Sequence, residues 1–533
     1  MNVFNKFPFL AYVFKTPSSW VWCDEHDFLK TIIRKVMFCG FGTVLIVLCQ
    51  VHYLTYKYPW EWTKISDQYH IRASSGMQQE NQFVPFLYYS NLYPIASKTR
   101  TPYSLDDVAA IINNEPKSLV TEWNHTNRYG DHAKTYLYLP WAYFKRSAEN
   151  PQVHHLHAAV FVLSLIALFS SMSLCGRPIL AVILTLFLGS NPFQLFEVYA
   201  RENIFSWPIT IAIVLLAINL PFLFDVKKIS SRWAVAAAVV SGIASGAIKH
   251  VRPEPSVMIA GVLLIYLICT RRKWLPKIGL AMALLLSSLL TTNTIQVYFN
   301  HKISQANNIV SLAGGTPFPG PRNSFHLFWH PIWCGLGDFD KQKGYKWDDK
   351  TAARYAFSQL KEHGVEVLPQ WDGRSLVIEN SFWDKSNLYY KTPYEVEGYN
   401  QVLKEKVLKD IQEDPVWYLS ILSNRLIRII QMTTPVTIRT AGAKVFSFSL
   451  RFSWPFFVVI LVCCFARQFI PLNLVLYTIP LSATPLLVYS GEGTTYYNIF
   501  HLFSFALVVY WVILILWNNL AGKKHERSCL VFV

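Results

Sequence analysis

The feature that most constrains this chain is the recurrence of apolar stretches about as long as a bilayer is thick. Ten can be read, at about 36–56, 154–175, 178–198, 203–224, 233–250, 255–270, 276–298, 452–466, 470–490 and 496–519. Crossing ~30 Å of hydrocarbon takes about 20 residues of helix, whose internal hydrogen bonds satisfy the backbone without water. Composition agrees, since 52% of the 533 residues are hydrophobic and only 15% charged, a balance that a multi-span membrane protein shows and a soluble one rarely does. The pattern predicts an α-helical polytopic membrane protein of about ten transmembrane helices with two long outer segments. It divides into a membrane core over 1–298, with a long first outer loop at 57–153, an outer soluble segment over 299–451, and C-terminal spans with a tail over 452–533.

Short basic turns set the orientation. Lys30, Arg34, Lys35, Arg177, Lys227, Lys228, Arg232, Arg271, Arg272, Lys273, Lys277, Arg467, Lys523, Lys524 and Arg527 all fall on one side if the spans alternate. The positive-inside rule makes that side cytoplasmic, along with both termini. The first run, from Val36 to about Tyr56, lacks a small-residue cleavage site and reads as an uncleaved signal-anchor. A net charge of +16 admits a nucleic-acid partner. Here the charge is spread over short turns between apolar runs, which favours membrane lipid headgroups or a phosphate-bearing substrate and excludes nucleic acid from the expected partners. Of the nine cysteines only Cys334 falls in a long outer segment, so no disulfide framework is available there, and no zinc-ligand spacing occurs.

The unusual acid–base clusters gather on the opposite, outer side. Arg201-Glu202, in "EVYARENIFSWPI", lies between the third and fourth spans. It reads either as an ion pair capping the fourth helix or as a carboxylate presented at the membrane surface for catalysis. His250, Arg252 and Glu254, in "AIKHVRPEPSVM", crowd the turn between the fifth and sixth spans. An arginine at a helix start has the wrong sign for the helix dipole. A phosphate oxygen is its natural partner, and pairing with Glu254 alone is the plainer alternative. Asp131-His132 precedes an aromatic, membrane-skimming stretch, "GDHAKTYLYLPW". Asp131 there suits either an N-cap or a general base for a hydroxyl acceptor. Asp67 lies about ten residues beyond the first span, with Glu61 and Glu80 as comparable acids. His154, His155 and His157 precede the second span, and Glu492 sits in the last outer turn. No Walker loop, GxSxG or HExxH is present.

With these residues in hand, the pattern resembles the GT-C superfamily of integral-membrane glycosyltransferases, and most closely its protein-mannosyltransferase and aminoarabinose-transferase branch. The resemblance covers about residues 36–300 in layout and is specific at three short motifs: "ARENIF", "HVRPEP" and "GDHAKTYLYLPW". It implies a multi-pass protein of a bacterial inner membrane with its site facing the periplasm or cell exterior. It implies transfer of a sugar from a polyprenyl-phosphate-linked donor to a lipid or glycan acceptor. Glu202 then takes the role of the second acidic residue. Arg252, with Arg201 and His250, takes that of the lipid-phosphate site, and Glu254 and His132 support them. The catalytic base falls on Asp67 if "GDHAKTYLYLPW" is the skimming segment, and on Asp131 if the motif is shifted. Branches of the superfamily differ in metal use, so Mg²⁺ or Mn²⁺ on the phosphate is left open. Two rivals share these features: a ligase or polymerase of lipid-linked oligosaccharides, which the long 299–451 segment favours, and a lipid-linked sugar transporter or flippase. A transporter is usually built from repeated halves with midplane charges, and neither is visible here. A membrane scaffold without catalysis leaves the aligned Asp131, Glu202 and Arg252 unexplained.

Overall fold

The structure, a computed structural model, describes residues 38–47, 153–199, 207–224, 229–251, 254–270, 272–312, 329–364, 382–384, 389–391, 398–440, 443–488 and 494–521. These are mostly helical. In chain order the membrane-type elements are α1 (Phe38–Val47), α2 (Val153–Leu174), α3 (Pro178–Gly189), α4 (Pro192–Tyr199), α5 (Trp207–Leu223) and α6 (Ser231–Val251). A 3₁₀ turn (Glu254–Val257), α7 (Met258–Leu264) and a π turn (Ile265–Cys269) form the next apolar segment, and α8 (Trp274–Leu312) follows. Then come α9 (Trp329–Leu336), α10 (Asp349–Glu362), the short strands β1 (Phe382–Asp384) and β2 (Tyr389–Lys391), α11 (Tyr399–Glu413) and α12 (Pro415–Gln431). The chain closes with the hairpin β3 (Thr434–Thr440) and β4 (Ala443–Leu450), α13 (Trp454–Ala466), α14 (Ile470–Leu476), a second 3₁₀ turn (Ile479–Ser482), α15 (Ala483–Leu487) and α16 (Thr494–Ala521).

Among the described residues, four stretches are long and apolar enough to cross a membrane: Ser231–His250, Trp274–Tyr298, Ile470–Leu487 and Ile499–Leu516. Six shorter apolar helices, Phe38–Val47, Ala158–Leu174, Pro178–Gly189, Ile209–Leu223, Met258–Cys269 and Trp454–Ala466, fall within or across the remaining apolar runs of the sequence. The protein is therefore an α-helical, membrane-associated one. The run expected at 178–198 is two helices, because Pro192 opens α4 and the Asn191 side chain caps it, its Oδ1 accepting from the Gln194 N–H at 3.1 Å. The run at 276–298 sits in a helix of 39 residues, so α8 continues beyond its apolar part into the segment that follows.

One large core joins these helices. α6 and α8 pack closely because Gly242 and Gly246 stand one turn apart and a Cβ on either would overlap Ser287 or the Ser288 carbonyl of α8. Asn219 knots three elements. Its Nδ2 donates to Ser241 of α6 at 2.9 Å and its Oδ1 accepts from Tyr266 of the π turn at 2.5 Å. Tyr477 donates to the Ala212 carbonyl at 2.8 Å, and Phe187 stacks on Phe505.

A second, separate core lies in the stretch between α8 and the hairpin. Trp333, Tyr345, Phe357, Tyr399, Leu403 and Trp417 gather α9, α10, α11 and the start of α12 around it. The hairpin that follows belongs to the first core instead. β3 and β4 pair antiparallel, with Val436 and Leu450 buried against the membrane helices and Phe448 edge-on to Phe505.

Candidate functional site

The two ends of the helix bundle differ in chemistry. α8 leaves the bundle and α13 re-enters it at the end that carries the second core, the 329–431 unit. The opposite end holds the described basic turns: Arg177, Arg232, Arg272, Lys273, Lys277 and Arg467. Lys277 closes off a helix end, its Nζ donating to the Leu267 carbonyl at 2.9 Å, and Arg272 ties two neighbouring turns by donating to the Ile229 carbonyl at 3.1 Å.

At the end carrying the unit, helix register decides which turns meet. The Asn219–Tyr266 bond fixes α5 against the segment that begins at Glu254. Trp207 and Glu254 each precede their bonded residue by twelve positions, so the start of α5 and the start of the 3₁₀ turn stand at one height. That turn packs on α5, on α6 and on the second 3₁₀ turn, Ile479–Ser482. The Arg201-Glu202 motif precedes the first of these helix starts in sequence, and Arg252 precedes the second.

Asp67, Asp131, His132, Arg201, Glu202 and Arg252 themselves lie outside the described residues, as does Glu492. Glu254 is described through its backbone, as the first residue of the 3₁₀ turn. His250 is described in full. It is buried near the end of α6, and its Nε2–H donates to the Thr292 carbonyl of α8 at 2.9 Å. Thr292 Oγ1 donates in return to the Gly246 carbonyl at 3.3 Å. His250 thus ties two helices together, and Nδ1 is the ring nitrogen this bond leaves over. Among the described residues no three His, Cys, Asp or Glu side chains gather as a metal-ligand set would.

Sequence reasoning did not single out three buried polar residues in the bundle. Gln194 and Asn191 flank the start of α4, and Ser482 ends the second 3₁₀ turn. The Gln194 amide O and N, Asn191 Nδ2 and Ser482 Oγ are buried without a hydrogen-bond partner. Such atoms are uncommon in folded proteins. Their only sequence signal was a polar residue inside an apolar run.

A buried arginine, itself paired within the 329–431 unit, fastens that unit to the bundle through a backbone carbonyl. Arg425 of α12 is fully buried, with Nε 3.7 Å from the Asp338 carboxylate and Nη1 donating to the Leu486 carbonyl of α15 at 3.1 Å. Burial presses the Arg425 pKa down and the Asp338 charge opposes that. Arg428 reaches the same carboxylate at 3.3 Å while lying over the Phe339 ring. Above this seam, Asp340 accepts from the backbone N–H groups of Gln342, Lys343 and Tyr345 and from the Trp417 indole. Burial would raise its pKa, but these donors outweigh burial and hold it below the ordinary value. Tyr345 donates to Asp410 at 2.6 Å, and burial together with that carboxylate raises its pKa.

No protein-family model, no characterised protein and no solved structure matches this chain.

Proposed function

We propose that this chain is a membrane glycosyltransferase of the GT-C type. It moves a sugar from a polyprenyl-phosphate-linked donor to a lipid or glycan acceptor at the outer face of a bacterial inner membrane, which it crosses about ten times. The observation that carries the reading is the common height of the helix starts at Trp207 and Glu254. Those starts follow the two motifs, Arg201-Glu202 and Arg252, that the chemistry needs beside each other. A lipid-borne donor requires a site at the bilayer edge, where the reacting sugar meets water and the prenyl chain stays in hydrocarbon.

In this reading a carboxylate, Asp131 or Asp67, takes the proton of the acceptor hydroxyl. The hydroxyl oxygen attacks the anomeric carbon, the bond from that carbon to the phosphate oxygen breaks, and the departing polyprenyl phosphate keeps the electron pair. Glu202 orients the reacting groups, and Arg252 with Arg201 stabilises the developing phosphate charge. His250 sits on the same rim, with Nε2 held by Thr292. The 329–431 unit on this face suits a bulky acceptor, which favours a lipid-linked oligosaccharide ligase as the second reading.

The test offers purified protein a panel of polyprenyl-phosphate sugars and follows release of free polyprenyl phosphate by mass spectrometry. Release that disappears with Glu202→Gln and with Arg252→Ala supports the proposal. Comparing Asp67→Asn with Asp131→Asn identifies the base. Wild-type turnover by the Glu202 and Arg252 variants removes both from the site. Absence of release from any donor, alongside tight binding of a lipid-linked glycan, transfers the assignment to a ligase or transporter.

A further inference from the structure

α12 is apolar on two opposite faces. Trp417, Ile421, Arg425 and Ile429 recur every fourth residue and are buried. On the other side Val416, Leu419, Leu426 and Ile427 are exposed, at 73%, 59%, 47% and 48%. Their spacing puts them on one stripe, with the small Ser423 between them. The only charged residues of the helix are Arg425, which is buried, and Arg428, which turns to Asp338 and Phe339. The exposed polar residues Ser420, Asn424 and Gln431 keep to one flank of the helix, and the Val416–Ile427 stripe is a contiguous exposed apolar patch, which marks contact with lipid or with another protein.

Its position says which. Arg425 is bonded to Leu486, one residue short of the end of the Ile470–Leu487 span. Ile429 accepts from His501 Nε2 at 3.1 Å and Ile430 accepts from Ser453 at 2.9 Å. His501 lies two residues inside the Ile499–Leu516 span, so the last turn of α12 is level with the outer end of that span. The stripe also runs into the exposed residues Phe452, Phe457, Leu461 and Phe465 at and along α13, one of the apolar helices.

We infer that α12 lies in the leaflet on the side of the 329–431 unit, with the Val416–Ile427 stripe facing lipid. Leu426 and Ile427, level with the outer ends of the Ile470–Leu487 and Ile499–Leu516 spans, lie at the edge of the acyl-chain region. Leu419 is seven residues, ~10 Å of helix rise, beyond Leu426, and meets the headgroup layer, about 5–7 Å thick on each side, with α12 tilted toward the bilayer plane. The unit is then held to the bilayer surface by lipid contact as well as by the Arg425–Leu486 seam. This inference is independent of which reaction the protein performs.

The experiment places a photo-crosslinking residue at each of three stripe positions, as Leu419→benzoylphenylalanine, Leu426→benzoylphenylalanine and Ile427→benzoylphenylalanine. Glu405→benzoylphenylalanine, on the exposed side of α11, is the control. The full-length protein is irradiated in phospholipid nanodiscs and its adducts are read by mass spectrometry. The expected result is phospholipid adducts several-fold above the control at the three stripe positions. Adducts joining two copies of the chain would identify the stripe as a dimer interface and overturn the proposal. Adduct levels no higher than at position 405 would show a solvated face and overturn it as well. Three separate positions keep the result readable if one variant misfolds.

Discussion

Removing the Asp338 charge should open the 329–431 unit, and the size of the effect follows from geometry. In Asp338→Asn the fully buried Arg425 keeps its charge and loses its carboxylate at 3.7 Å. At an effective dielectric of about 20 that attraction is worth about 4 kcal/mol. The contact of Arg428, whose side chain is one-third exposed, adds under about 1 kcal/mol because solvent screens it. Orphaning a buried ion costs about 3–5 kcal/mol in comparable cases, so the two routes agree. Removing the cation should cost less. In Arg425→Met the Leu486 carbonyl loses one donor, worth about 1 kcal/mol, and Asp338 keeps Arg428. The double variant Asp338→Asn with Arg425→Met should recover most of what the single Asp338 variant loses. Pulse proteolysis in detergent reads this as the population of the opened unit. Cleavage between residues 313 and 431 should rise roughly a hundred- to a few-thousand-fold for Asp338→Asn, and far less for Arg425→Met. A wild-type cleavage rate for Asp338→Asn, or a double variant no more resistant than that single one, would refute the reasoning.

Two further outcomes test the cores separately. Asp340 has its pKa lowered below the ordinary 3.8, so its ionised form stabilises the unit; that contribution is complete above the ordinary value and decays as pH falls through the folded one. Asp340→Asn should therefore cost about 1–3 kcal/mol at neutral pH, with the gap to wild type closing below about pH 4, as followed by tryptophan fluorescence during unfolding. Gly246→Ala should destabilise the bundle by about 1–3 kcal/mol through overpacking against the Ser288 carbonyl. Gly279→Ala on α8, where an added Cβ meets nothing, should be neutral or slightly stabilising. Thermal unfolding in detergent separates the two, and equal shifts would contradict the close α6–α8 approach.

The sequence alone determined what depends on local composition. Apolar runs predicted where membrane-type helices form, because a helix satisfies its own backbone and needs only an apolar surround. Basic turns such as Arg177 and Lys277 marked one end of the bundle for the same local reason. The candidate site was legible only as motifs in turns, and its one fully described member, His250, has a partner 42 residues away that no motif announces. Tertiary structure decided whatever depends on distant partners. Arg425 and Asp338 are 87 residues apart and read in sequence as unrelated surface charges. The hairpin Thr434–Leu450 reads as part of an outer soluble segment, yet packs on α3 and α16, since strand alternation gives two faces but not which core receives one. α12 shows the limit most clearly. Periodicity reports that both its faces are apolar, and only the packing of Trp417, Ile421, Arg425 and Ile429 reveals which face the protein covers and which it leaves for lipid.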